Sequence, residues 1–288
     1  MSLLAAISVS PKRYCIKTPP NIVIQKTFGR LEAGPTGGLR PKKFPLLFHG
    51  DLHPSIQDPG LLISIGEERA FFAEPRLLEA ARIAEKAGAW QITVHLREDR
   101  RHLQDQDLLD LRKSVKTRLN LEMALAPGVV TLALKVRPDR VTLVPERREE
   151  VTTEGGLEVA GNLRKVEEVT RRFRALGVEV SCFVAPEAGQ VFASAAAGAD
   201  AVELHTGAYA RQRPGPGRRR ELEQLAAAAG WAKAACMKVY AGHGLTAGNL
   251  GPVARIPEVE ELNIGHSLVA RALIGGLDRA VREVRRAM

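Results

Sequence analysis

The sequence predicts an eight-fold βα barrel. Three observations carry the prediction: a repeated helix–glycine–strand pattern, a chain length suited to one large core, and ionisable residues gathered at strand C-termini. Helices ending in Ala-Gly or Leu-Gly run directly into apolar strands in EKAGAWQITVHL, RALGVEVSCFV and AAAGADAVELHTG, so Gly88, Gly177 and Gly198 fit the left-handed helix-terminating position. Short β-branched runs place strands at Ile92–Leu96, Leu119–Met123, Arg140–Val144, Val178–Val184, Ala201–His205, Met237–Ala241 and Glu260–Ile264. Helical patterns fall between and around them at 76–87, 105–115, 127–136, 158–176, 187–197, 218–235, 247–255 and 267–286. Seven alternating units, with one more strand required upstream, point to a TIM (β/α)8 barrel. A doubly wound open sheet is the competing architecture, but no Gly-rich dinucleotide fingerprint follows an early strand.

The upstream strand has two candidates, Leu46–His49 and Leu61–Ile65, and neither ends in a catalytic cluster. Residues 1–58 read as an irregular, basic, Pro/Gly-rich extension, poorly ordered, and residues 59–288 as the barrel with an atypical first strand. Residues 1–60 hold eight Lys/Arg against three Asp/Glu, and eight of the seventeen prolines. That segment therefore supplies more than half of the net charge of +9, which weakens any nucleic-acid reading of the rest. The remaining Arg runs lie on or beside helices and read as solvated faces.

No run approaches the length of a membrane span, and Leu3–Val9 lacks the flanks of a secretory signal. The three cysteines, Cys15, Cys182 and Cys236, have no metal or redox spacing and suit a reducing cytoplasm. The scattered histidines lack paired zinc-site spacing, so metal-free general acid–base chemistry is expected.

Catalysis in a barrel sits at the strand C-termini. Those ends carry His95 with Arg97, Glu122, Pro145–Glu146, Glu203 with His205, His243, and Gly265–His266. A single histidine there is ordinary; His and Glu at five ends together indicate function. Glu122 stands inside an apolar strand, costly unless paired or working. AGHGL (241–245) and NIGHS before the last helix read as glycine turns that admit an anion beside a helix N-terminus. Arg97, His102 and the hydroxyls of Thr152–Thr153 form a second candidate anion site, so two phosphorylated substrates, or one large one, are implied. The loop Pro145–Val159 reads as a lid over the barrel mouth or as a solvated excursion.

TVHLREDRRH, RLNLEMA, LVPERREEVTTEGGL, VELHTGAYA, AGHGL and ELNIGH, in this order over roughly residues 74–288, resemble the pyridoxine 5′-phosphate synthase family. The resemblance implies a cytoplasmic TIM-barrel enzyme that assembles as a homo-oligomer, an octamer. It would condense 1-deoxy-D-xylulose 5-phosphate with 3-amino-2-oxopropyl phosphate, without metal or organic cofactor and without nucleic-acid or membrane partners. It further implies His95 and Glu122 as general bases, His243 as general acid and Glu203 as transition-state stabiliser. Arg97, His102 and Thr152 would hold deoxyxylulose phosphate; Gly244, Gly265 and His266 would hold the amino-ketone phosphate.

The departure is N-terminal. The family's first strand begins with Asn-x-Asp-His, where this chain reads PGLLISIGEERA; Asp51 and His53 are a displaced echo, and Arg69 lies near the family's arginine. Either residues 1 to about 73 are a misread or rearranged segment, or the chain is a divergent paralogue. The alternative to synthesis is an inactive or repurposed barrel that binds phosphorylated metabolites.

Overall fold

The computed structural model describes residues 77–100, 103–145 and 155–288, together with two short strands near the N-terminus, β1 (Ala5–Val9) and β2 (Val23–Gln25). Helix α1 (Leu77–Lys86) leads into β3 (Gln91–Leu96), followed by α2 (Asp105–Ser114), β4 (Arg118–Met123), α3 (Pro127–Val136), β5 (Arg140–Leu143), α4 (Leu163–Arg174), β6 (Glu179–Val184), α5 (Ala188–Ala196) and β7 (Ala201–His205). Then come α6 (Gly207–Arg211), α7 (Pro216–Ala234), β8 (Lys238–Gly242), α8 (Leu250–Ala254), β9 (Val259–Ile264), α9 (His266–Gly275) and α10 (Leu277–Arg286).

Strands β3 to β9 form a curled, parallel, TIM-barrel-like sheet in sequence order. All seven expected strands are present to within two residues at either end. Gly88, Gly177 and Gly198 have φ of 102°, 73° and 77°, the left-handed geometry expected at those helix ends. The upstream candidates Leu46–His49 and Leu61–Ile65 lie outside the described residues. The strands that pair across the two sheet edges are instead β1, antiparallel to β3 and β9, and β2, parallel to both.

Three helix expectations need correction. The pattern at 267–286 is two helices, because Gly276 adopts φ 80° and turns the chain between α9 and α10. The pattern at 158–176 begins as a 3-10 turn at Ala160–Asn162. There the Gln190 side-chain oxygen accepts hydrogen bonds from the N–H groups of Val159 (2.8 Å) and Ala160 (3.3 Å), and pins the entry before α4. The short helix α6, directly after β7, was not expected at all.

Strand alternation sorts the side chains by chemistry. Ile92, Val94, Leu119, Leu121, Val141, Leu143, Val180, Val202, Leu204 and Val239 join one apolar core with the buried faces of the helices, including Leu108, Val129, Phe173 and Ala228. The alternate positions are buried and polar: Gln91, Thr93 and His95 on β3; Asn120 and Glu122 on β4; Arg140 and Thr142 on β5; Glu203 and His205 on β7; Glu261 and Asn263 on β9. Hydrogen bonds between strands far apart in the sheet place this set on the concave face. Arg140 reaches from β5 to β9, donating to Glu261 at 2.7 and 3.3 Å. Gln91 Nε2 donates to the same carboxylate at 3.2 Å. One layer towards the strand C-termini, Asn120 donates to Thr93 (3.2 Å) and accepts from Thr142 (3.0 Å). Such buried polar groups are tolerated because most of them are paired.

Candidate active site at the strand C-termini

The concave polar stripe ends at the C-terminal rim in the residues singled out from sequence. His95 and Glu122 are register partners on adjacent strands, both buried. Burial, then the neighbouring Arg97 cation, pulls the His95 imidazole down to about 3, so it is neutral at physiological pH. Its Nε2 is buried without a hydrogen-bond partner in the protein. Burial, then the Glu203 carboxylate, pushes Glu122 well above the usual carboxylate range. Glu203 is itself raised to about 8, by burial first and Glu261 next, against the pull of Arg140. Two carboxyls whose ionisation is pushed upward are equipped to exchange protons nearer neutral pH, while the His95 imidazole beside them is held in its neutral form.

Arg97 is buried although it lies in the loop after β3, with its Nε 3.6 Å from Asp99. A buried guanidinium at a barrel rim is suited to an anionic ligand.

His243 stands in the turn after β8 with φ 82°, a left-handed conformation costing a non-glycine residue roughly 1–2 kcal/mol. Its ring centroid lies 4.7 Å from that of His205, which packs edge-on against Phe183 at 5.3 Å. Burial, then His243, then Arg211, lowers the His205 imidazole to about 4. Thr206 follows, its N–H donating to the Gly242 carbonyl at 2.8 Å.

Gly242 itself is required by close approach. A Cβ there would fall 2.3 Å from the Glu203 Oε1 and 2.9 Å from the Asn263 Cβ. Gly242→Ala is therefore expected to displace the Glu203 carboxyl while the barrel stays folded. Activity should fall far more than the thermal midpoint, and a crystal structure of the variant checks the displacement directly.

The two glycine turns meet. Gly244, at φ 76°, packs so closely on Ala210 that a Cβ would lie 2.8 Å from that methyl. Ser267 on α9 donates to the Leu245 carbonyl at 2.6 Å and ties the AGHGL turn to the first turn of α9. Gly265 is the residue preceding α9, and His266 is its first, exposed residue. An anion at this corner would meet a helix N-terminus.

The structure thus gathers His95, Arg97, Glu122, Glu203, His243, Gly244, Gly265 and His266 at one end of the sheet. His102, Thr152 and most of the expected lid loop lie outside the described residues. Asn263 escaped the sequence reading. Its side chain is buried beside the Glu203 carboxyl, to which it hydrogen-bonds, and two-residue alternation from Glu261 would have found it. Among the described residues no group of three or more His, Cys, Asp or Glu is arranged to hold a metal ion, and no helix is long and apolar enough to cross a membrane.

Residues 66–288 match the protein family described as "Pyridoxal phosphate biosynthesis protein PdxJ". A pyridoxine 5′-phosphate synthase from Synechococcus sp. is 56% identical over 215 residues, covering 75% of this chain and 90% of its own length. One from Synechocystis sp. is 51% identical over 225 residues, covering 78% and 93%. Among solved structures, the Amycolatopsis orientalis BexX/CysO complex aligns with a TM-score of 0.52 at 18% identity, over 74% of this chain and 84% of that one. That last likeness is one of fold alone.

Proposed function

The chain belongs to the PdxJ family of pyridoxal phosphate biosynthesis proteins, and on that premise we propose that it condenses 1-deoxy-D-xylulose 5-phosphate with 3-amino-2-oxopropyl phosphate. The products are pyridoxine 5′-phosphate, inorganic phosphate and water. The observation that carries the reading is the cluster of buried titratable groups at the rim of the sheet, in a chain about half identical to pyridoxine 5′-phosphate synthases.

The reaction asks for repeated proton transfer. The amine attacks a ketone and expels water as an imine; removal of a C–H proton then drives out phosphate; water adds, and ring closure by carbon–carbon bond formation expels two further waters as the ring becomes aromatic. His95 and Glu122 serve as bases. The first is neutral because burial and Arg97 disfavour its cation, and the second is a strong base once ionised because burial disfavours its anion. His243 donates protons to departing oxygens, and Glu203 steadies the charges that develop. Arg97, with His102 and Thr152, holds deoxyxylulose phosphate. Gly244, Gly265 and His266 hold the amino-ketone phosphate at the start of α9. A dry pocket magnifies each of these interactions.

In the same reading the sheet is a full (β/α)8 barrel, completed by a strand from the N-terminal region. The protein works in the cytoplasm as a homo-oligomer, without a cofactor. Support for the barrel comes from the order of the seven parallel strands and from the relatives' coverage.

The test is product formation by the 288-residue chain supplied with both substrates and read by mass spectrometry. We expect pyridoxine 5′-phosphate from the wild type and a loss of about 10²–10⁴-fold in His243→Ala. Folded protein that makes no product, while still binding deoxyxylulose phosphate, would replace this reading with that of a binding barrel. Undiminished product from His243→Ala would remove the role given to His243.

A further inference from the structure

We infer that Thr206, together with the ring of His205, is a positioning device that holds His243 in its reactive pose; the inference rests on the acid role proposed for His243. His243 occupies a backbone conformation that a β-carbon disfavours, so something outside the residue must hold it there. Thr206 is placed to do so. It is buried at the end of β7, and its hydroxyl lies 2.6 Å from the His243 carbonyl and 2.7 Å from the Gly242 carbonyl. A hydroxyl has a single proton, so it donates to one of these at a time. The Gly242 carbonyl has the Thr206 N–H as a donor of its own at 2.8 Å, so a hydroxyl proton given to His243 leaves neither carbonyl unpaired.

The ring of His243 is fixed separately. It faces His205 at 4.7 Å and lies 6.3 Å from Phe183, and His205 is itself wedged edge-on against Phe183. From below, Gly207 approaches so closely that a Cβ would sit 2.6 Å from the His205 Cε1. His205 therefore has little room to turn. Being kept neutral, it offers His243 a packing surface without contributing a second positive charge when His243 carries its proton. Backbone and ring of His243 are thus held by two consecutive residues, the last of β7 and the one that follows it.

A group held this way matters through geometry, because a misplacement near 1 Å can cost on the order of a hundredfold in rate. Thr206→Val keeps the branched shape and removes the hydroxyl, whereas Thr206→Ser keeps the hydroxyl. We expect Thr206→Val to lower kcat about 10- to 100-fold with KM within about twofold of wild type, and Thr206→Ser to restore most of it. His205→Ala should produce the same split. In a His243→Ala background, with residual product read by mass spectrometry over long incubation, neither substitution should have further effect, since each acts only through His243.

The His243 Cε1–H resonance supplies a readout independent of turnover. It should move in Thr206→Val and stay near the wild-type position in Thr206→Ser. Additive losses in the double variants, or an unmoved resonance with unchanged kcat in Thr206→Val, would overturn the inference. If Thr206→Val fails to fold, His205→Ala carries the same cycle. A wild type that makes no product defeats the proposed function, and the resonance measurements then judge the positioning by themselves.

Discussion

Arg140→Met should destabilise the protein by about 3–5 kcal/mol, the range for breaking a buried ion pair by removing one partner. The arginine is 1% exposed. It donates to Glu261 through both terminal nitrogens and to Glu179 through Nε at 2.7 Å, and its guanidinium stacks 3.9 Å from the centre of the Tyr240 ring. Glu179 keeps other partners, since Arg118, Lys238 and the Tyr240 hydroxyl also donate to it. Among the described residues Glu261 would retain only the Gln91 amide as a hydrogen-bond donor, and its charge would be left in the concave core. In urea the midpoint should fall with an unchanged slope. The double variant Arg140→Met with Glu261→Gln should recover much of the loss, because it removes the stranded charge as well. A single variant as stable as wild type would show that Glu261 does not need this partner.

Glu122→Gln should lower kcat/KM by about 10²–10⁴-fold, the usual contribution of a positioned general base. The pH profile of the parent enzyme identifies the base more specifically. Burial and the proximity of Glu203 keep Glu122 protonated well above the usual carboxylate range, so the active, ionised form accumulates only as pH rises. Activity should therefore climb as pH rises above the usual carboxylate range, with the limb belonging to the carboxyl pair as a unit. Glu203→Gln removes the repulsion on Glu122, and the limb should move to lower pH whatever happens to its height. A profile flat from acid to alkaline pH, or a limb unmoved in Glu203→Gln, would exclude this pair as its source.

The other carboxyl of the pair, Glu203, links pH to stability, with the opposite sign. The folded Glu203 carboxyl is raised to about 8 from an ordinary value of 4.5, so the native state holds its proton more tightly than the unfolded chain. Its contribution to stability is complete below pH 4.5 and is lost as pH rises through 8. Substrate-free protein should accordingly become less stable across that interval, and Glu203→Gln should flatten the trend. Denaturant midpoints at a series of pH values measure both.

Much of this site was legible in the linear chain because the signals are local. A strand of alternating or continuous apolar residues, a glycine where a helix must stop, and His or Glu at a strand end are all visible within ten residues. That is why β3 to β9, Gly88, Gly177, Gly198 and the residues His95, Glu122, Glu203 and His243 could be named. Where local signals were ambiguous the reading slipped. The periodicity of α9 and α10 is continuous in sequence, and only the left-handed Gly276 separates them. VELHTGAYA carried no helical length that would announce α6.

The amino-acid order by itself determined which segments become strands and helices, and which titratable groups arrive at the sheet's C-terminal end, because backbone sterics and two-residue alternation act between near neighbours. Only the tertiary structure decided the partnerships. Arg140 and Glu261 are 121 residues apart, and Thr206 and His243 are 37 apart; the curl and register of the sheet bring each pair together. Those meetings set the charge states. Glu122 and Glu203 have ordinary carboxyl chemistry in an open chain, and they become reluctant acids only when folding takes both out of water and sets carboxylates beside them.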